Sequence, residues 1–139
     1  MDMVVNRSCE VSSTQAQLCA VVPKVWGREE WIVNNEKYCG KKLVFFQGYR
    51  CSLHYHKIKE ESFYILCGSI YLELVEQGKC VARVMMPGDI AHIKPYAQHR
   101  ITALTDAEVM EFSTFHMEDD SYRIEESGKI DVATLVFPK

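Results

Sequence analysis

The chain has 139 residues, 47% of them hydrophobic and 25% charged, with a formal net charge of -3. That is the size of one domain with enough apolar material for a core of its own. Its basic residues are scattered, which argues against a nucleic-acid surface, and its longest apolar runs, about five or six residues, are too short for a membrane helix.

Residues 1–20 are polar and rich in Ser, Thr and Gln, without periodicity. They are expected to form an irregular N-terminal arm, with 21–139 as the single domain. The alternative is a strand from Ala16 to Val22 that pairs with the domain or with a partner chain. No continuous apolar region precedes a small-residue cleavage site, so the expected location is cytoplasmic. The cysteines at 9, 19, 39, 51, 67 and 80 show no C-x-x-C spacing and are expected to be free, buried or half-buried thiols in a reducing compartment. Cys51 and Cys67 alternate away from the chemistry-bearing positions described below.

From Trp26-Gly27 onward, turn signals and β-rich runs alternate. Trp31 to Val33 leads into an Asn34-Asn35 turn. Lys41 to Gln47, Cys51 to His56, Ser62 to Cys67 and Ile70 to Val75 follow as strands. In Ile70 to Val75, either Ile70, Leu72 and Leu74 or their neighbours Tyr71 and Glu73 face inward. Glu76 to Lys79 is a hairpin loop between this run and Cys80 to Met86. Pro87-Gly88-Asp89 and Lys94 to Ala97 are turns flanking Ile90 to Ile93. Gln98 to Leu104 and Ala107 to Phe115 complete the set, and a short helix around Asp119 to Glu126 is possible. About nine short strands at regular spacing mean an all-β sandwich or closed barrel.

His54 and His56 sit two apart, so on a strand both imidazoles project from one face, about 7 Å apart. Glu61 follows after a charged turn and begins the returning strand. Two imidazoles and a carboxylate suit a divalent transition metal such as Mn, Fe, Zn, Ni or Co. Arg50 shares the parity of the two histidines and can point the same way. Glu111 lies in an otherwise apolar run. Facing inward, it is desolvated, with a raised pKa suited to a general base; facing outward, it is an edge charge. Lys57 and Lys59 are either solvated loop charges or ligands for a phosphate. His92 and His116 are expected to be non-ligands, His116 at an exposed strand end. Trp26 and Trp31 read as core or dimer packing.

Gly48, His54, His56, Glu61 and Gly68 fill every place of the first cupin motif at the permitted spacing. The looser second motif begins at Gly88 and keeps its histidine at His99. It departs at Lys94, Tyr96 and Ala103, which stand at the Pro, Gly and Asn places. The chain therefore resembles a cupin, and the resemblance implies a jelly roll, or double-stranded β-helix barrel, with one divalent metal on His54, His56, Glu61 and His99. Over about Val22 to Lys129 it is also similar to the cupin domain of type II mannose-6-phosphate isomerases. There Pro23 to Gly27 matches an opening Pro-Trp-Gly element and Ser52 to His56 a ligand strand, with His54 in a Gln place. Glu118 to Asp120, Arg123 and Ser127 to Lys129 follow the closing outline. This implies aldose–ketose isomerisation of a sugar or sugar phosphate, with Glu111 and Lys59 catalytic and Arg50 and Arg123 holding substrate. The alternatives are an Fe(II)-dependent dioxygenase of a small molecule and a non-catalytic sugar-binding cupin. Cupins of this size usually pair, so a homodimer is expected.

Overall fold

The computed structural model describes residues 8–137. Residues 8–19 have no regular secondary structure; the first seven residues of the expected arm lie outside the described range. The first strand, β1 (Ala20–Lys24), begins four residues after Ala16 and pairs antiparallel with β2 (Gly27–Asn34). Next come β3 (Cys39–Phe45), β4 (Tyr49–Arg50), β5 (Leu53–Tyr55), β6 (Glu61–Cys67) and β7 (Ile70–Glu76). Then follow β8 (Lys79–Met85), β9 (Ile90–Ile93), β10 (Gln98–Ala103), β11 (Ala107–Ser113), β12 (Tyr122–Glu125) and β13 (Gly128–Lys129).

Two antiparallel sheets face each other. One runs β1-β2-β3-β11-β6-β9. In the other, β10 is central, with β7 and then β8 on one side and β4 and β5 on the other; β13 lies beyond β4 and β12 beyond β5. Alternation sorts the side chains: Leu43 and Phe45 of β3, Phe63 and Ile65 of β6 and Val109 of β11 enter the core. Ile70 and Leu72 of β7 and Ile101 of β10 meet them from the second sheet. Burying each such side chain contributes about 2 kcal/mol, and this apolar scaffold supports the polar groups buried at one end of the barrel. Among the described residues no helix is long and apolar enough to cross a membrane.

Several expectations change. The run from Cys51 to His56 is not one strand: the ladder breaks at Cys51-Ser52, between β4 and β5. Parity therefore fails across it; Cys51 packs in the core, one of the two placements expected for it, and burial pushes its thiol up to about 12. Cys9, Cys19, Cys67 and Cys80 are exposed rather than buried or half-buried. Tyr71 does not face solvent. The C-terminal segment covers it, and its hydroxyl donates to the Val136 carbonyl at 2.6 Å. Instead of a helix over 119–126, a single 3-10 turn at Glu118–Asp120 leads into β12. That strand is held extended by pairing with β5, and by Arg100, whose guanidinium donates to Glu73 at 3.0 Å and to Glu125 at 2.6 Å.

Two backbone positions close the barrel at its turns. Gly68 has φ +74°, and a Cβ there would collide with the Asp106 carbonyl oxygen. Tyr96, at the motif's Gly place, has φ +71° and donates its N–H to the His56 carbonyl at 2.6 Å. A tyrosine so placed stores roughly 1–2 kcal/mol of strain. Tyr96→Gly should leave the melting temperature unchanged or raise it, by up to about 1 kcal/mol of stability, whereas Tyr96→Val should lower it. Thermal melts of the two variants check this.

Candidate metal centre

His54 lies on β5 directly across from His99 on β10, and His56 follows β5 by one residue. Glu61 opens β6 on the opposite sheet. The four side chains bring one donor atom each within 4.8 Å of one another. Donors about 2.1 Å from one ion lie about 3 Å apart when adjacent and about 4.2 Å apart when opposite, so the cluster is close to the size a single ion needs.

The outer ring nitrogens are already used. His54 Nδ1 lies 2.8 Å from the Ser52 carbonyl, His56 Nδ1 3.0 Å from the Asp120 carbonyl and His99 Nδ1 2.9 Å from the Ala97 carbonyl. Each contact places the ring proton on Nδ1 and leaves Nε2 as a free lone pair. That is how protein imidazoles are oriented toward a metal. Glu61 Oε1 lies 2.7 Å from His99 Nε2 and 3.7 Å from His56 Nε2. The closer pair is not aligned for a hydrogen bond, and both of its atoms are otherwise buried without a partner. Converging, unpartnered donors of N and O type fit a divalent transition metal.

Electrostatics agree with this. Burial, with a further push from His99, drives His54 down to about 3, and burial also lowers His56. Burial would lower His99 as well, but the adjacent Glu61 carboxylate outweighs it and raises the imidazole above its ordinary value. Burial would raise Glu61, yet Lys59 and the two imidazoles hold it well below the usual carboxylate range.

Lys59 is not a solvated loop charge. It is 3% exposed, and its ammonium lies 3.1 Å from Glu61 Oε2, 2.7 Å from Glu111 Oε2 and 3.1 Å from His116 Nδ1. An ammonium has three protons, and all three are committed. The loop turns inward because the buried Asp120 carboxylate accepts the backbone N–H groups of Lys57, Ile58 and Lys59 at 3.0–3.3 Å. Lys57 points away instead, with its ammonium 4.4 Å above the Tyr122 ring. Glu111 faces the interior and is 5% exposed. Burial and the Glu61 charge raise its pKa, while Lys59 and Lys41 oppose the rise.

These groups line one cavity of about 350 Å³, with Trp26, Leu43, Phe45 and Ile101 as its apolar wall. Arg123 lies at its edge, exposed, on β12 opposite His54. Arg50 does not line it, since the break at Cys51-Ser52 cancels the parity that linked it to the histidines. His92 bonds Ser62 outside the barrel, 2.7 Å away. His116 is not at an exposed strand end: its ring packs edge-on against Trp31 and its Nε2 donates to Glu118 at 2.9 Å. Lys41 also lines the cavity, a placement readable from the sequence because Lys41, Leu43 and Phe45 share one face of β3 by simple alternation. Asp120 left no local signal, as its partners lie some sixty residues away.

Replacing Asp120 by Ala strands three loop amides and loosens the loop that follows His56, although the backbone carbonyl that receives His56 Nδ1 is kept. It should cost about 2–3 kcal/mol of stability and weaken metal binding about tenfold or more. Denaturant melts and metal titration of Asp120→Ala measure the two effects. The pH dependence of the metal-free protein follows from His54. Between its unfolded value of 6.5 and its folded value of about 3, the unfolded chain binds a proton that the folded chain refuses. This contribution therefore destabilises the fold progressively as pH falls from 6.5 toward 3. The raised His99 acts with the opposite sign, adding stability below 6.5 that is lost as pH rises through its folded value. His54→Gln should thus show a shallower acid limb than the parent chain in melts run with chelator.

No family model and no curated protein matches the chain by sequence. Solved structures do match by shape. Oxalate decarboxylase from Bacillus subtilis superposes with a TM-score of 0.70 at 19% identity, over 81% of this chain and 33% of that one. The capsular polysaccharide assembling protein CapF from Staphylococcus aureus gives 0.71 at 13% identity, over 79% of this chain and 32% of that one. The chain thus spans about a third of the length of these structures. With two facing antiparallel sheets and these likenesses in shape, the chain has the cupin jelly-roll fold.

Proposed function

We propose that this chain is a metal-dependent cupin that interconverts the aldose and ketose forms of a sugar or sugar phosphate. The observation that carries the reading is Glu111: a buried carboxylate that faces the cavity, with a raised pKa, joined to the metal cluster through one shared ammonium.

A divalent metal on His54, His56, Glu61 and His99 would supply Lewis-acid stabilisation of negative charge developing on substrate oxygens. Glu111 accepts the proton from the carbon that bears the hydroxyl and returns it to the neighbouring carbonyl carbon, while the hydroxyl proton passes to the former carbonyl oxygen. Its burial brings its basicity closer to neutrality, where a general base works best. Lys59 has no proton left for a substrate. It is a positioning residue that holds Glu111 and Glu61 apart and aligned, in place of the catalytic or substrate-gripping role expected for it. The apolar wall of Trp26, Phe45 and Ile101 keeps water from the reacting carbons. Arg123, at the cavity edge, meets the far end of the substrate.

Protein reconstituted with Mn(II) should form ketose from at least one of mannose, lyxose and mannose 6-phosphate. Glu111→Gln should lower the rate at least about 100-fold with metal content unchanged. Because the carboxylate form is the base, the rate should fall as pH drops through the raised Glu111 pKa. Absence of turnover on any aldose or ketose would sink the reading, and oxygen uptake by the Fe(II) form with a small-molecule substrate would replace it with dioxygenase chemistry.

A further inference from the structure

We propose that Lys41 forms an oxyanion-binding subsite in the cavity wall, so that the ligand of this cavity carries a carboxylate or phosphate group. The inference deepens the isomerase reading by naming the charge on its substrate.

Lys41 is 1% exposed, yet its side chain lines the cavity. It stands in one row across the first sheet, paired with Trp31 on β2 and with Glu111 on β11. Its ammonium sits 4.1 Å above the Trp31 ring. It makes no hydrogen bond among the described residues; the carboxylate nearest it, Glu29 Oε2, is 3.6 Å away, and Glu111 acts on it only through its charge. That oxygen also accepts the Trp31 indole N–H at 3.2 Å, and the other Glu29 oxygen is 3.9 Å from Lys24. Glu29 therefore steers Lys41 without satisfying it. The contrast with Lys59, on the same wall, is direct: there all three protons are taken. A buried ammonium with unused donors is costly unless an acceptor arrives.

Lys24, Lys41, Lys59 and Arg123 line the cavity against Glu29, Glu61, Glu111 and Glu118, so its formal charges balance and the case for an anion is local to Lys41. Lys59 is held by Glu61 and Glu111, whereas Lys41 is withdrawn from water with donors unused, and an anionic oxygen is the acceptor that suits them best.

Tryptophan emission provides the test, since Trp31 is in contact with Lys41. The full-length chain, as purified and after chelation, is titrated with inorganic phosphate and separately with glycolate, against sodium chloride at equal ionic strength. Either probe should give a saturable change that chloride does not, and the tighter probe names the group. Lys41→Met should weaken binding about tenfold or more, and Lys41→Arg should largely retain it. Glu29→Gln, which removes the competing carboxylate, should tighten it several-fold. This second variant keeps the test open should Lys41→Met fail to fold. His54→Ala should keep the Lys41-dependent response, which separates it from binding at the metal. Equal binding by Lys41→Met and the parent, weaker binding by Glu29→Gln, or no response beyond chloride would overturn the subsite. None of these readouts uses turnover, so the loss of the isomerase reading and the loss of the subsite are separate results.

Discussion

Two buried carboxylates and one buried ammonium set the terms for everything near the cavity. Glu61 and Glu111 stand close together in a barrel whose remaining walls are largely apolar. Without Lys59 both could not ionise there, and a metal ligand and a base would be lost together. With Lys59 between them the two environments diverge: Glu61 is held far down, Glu111 is left raised. One side chain thus lets two carboxylates of the same chemistry take different roles. Desolvating three charges is expensive, and the tightly packed apolar core is what holds them in register against that cost.

Much of the fold was legible from alternation and turn residues, because those are local. Most strands between Cys39 and Ser113, the hairpin at Glu76 to Lys79 and the metal donors on Gly48 to Gly68 follow from spacing within a few residues. His99 needed the resemblance, since its partner strand is far away in sequence. The errors share a cause. Parity places Arg50 with the histidines only if the strand between them is unbroken, and a loop position leaves Lys59 either solvated or free to meet a substrate, as a strand end leaves His116 exposed. For the last two a distant contact decides the outcome: Asp120 for Lys59, and Trp31 with Lys59 for His116. Lys41 is the opposite case, readable by alternation, yet easy to take for a strand-start charge.

The second motif shows how a local rule bends without breaking the site. A tyrosine fills the place where the motif has glycine and still adopts the left-handed backbone. The conformation survives because its amide is bonded to the carbonyl of a ligand histidine. What is kept is the direction of the chain entering His99; the residue type is secondary.

The clasp between Asp120 and the 57–59 loop has a consequence for assembly. The first two histidines and Glu61 belong to a local segment, but the carbonyl that orients His56 and the carboxylate that holds the Lys59 loop arrive with the last third of the chain. Contacts of such wide sequence separation form late, since the intervening chain must first be ordered. A nascent barrel lacking residue 120 would hold the right ligands on an unanchored loop. Selective metal capture is therefore expected to follow completion of the fold rather than to nucleate it, in contrast to small zinc modules whose metal organises the chain.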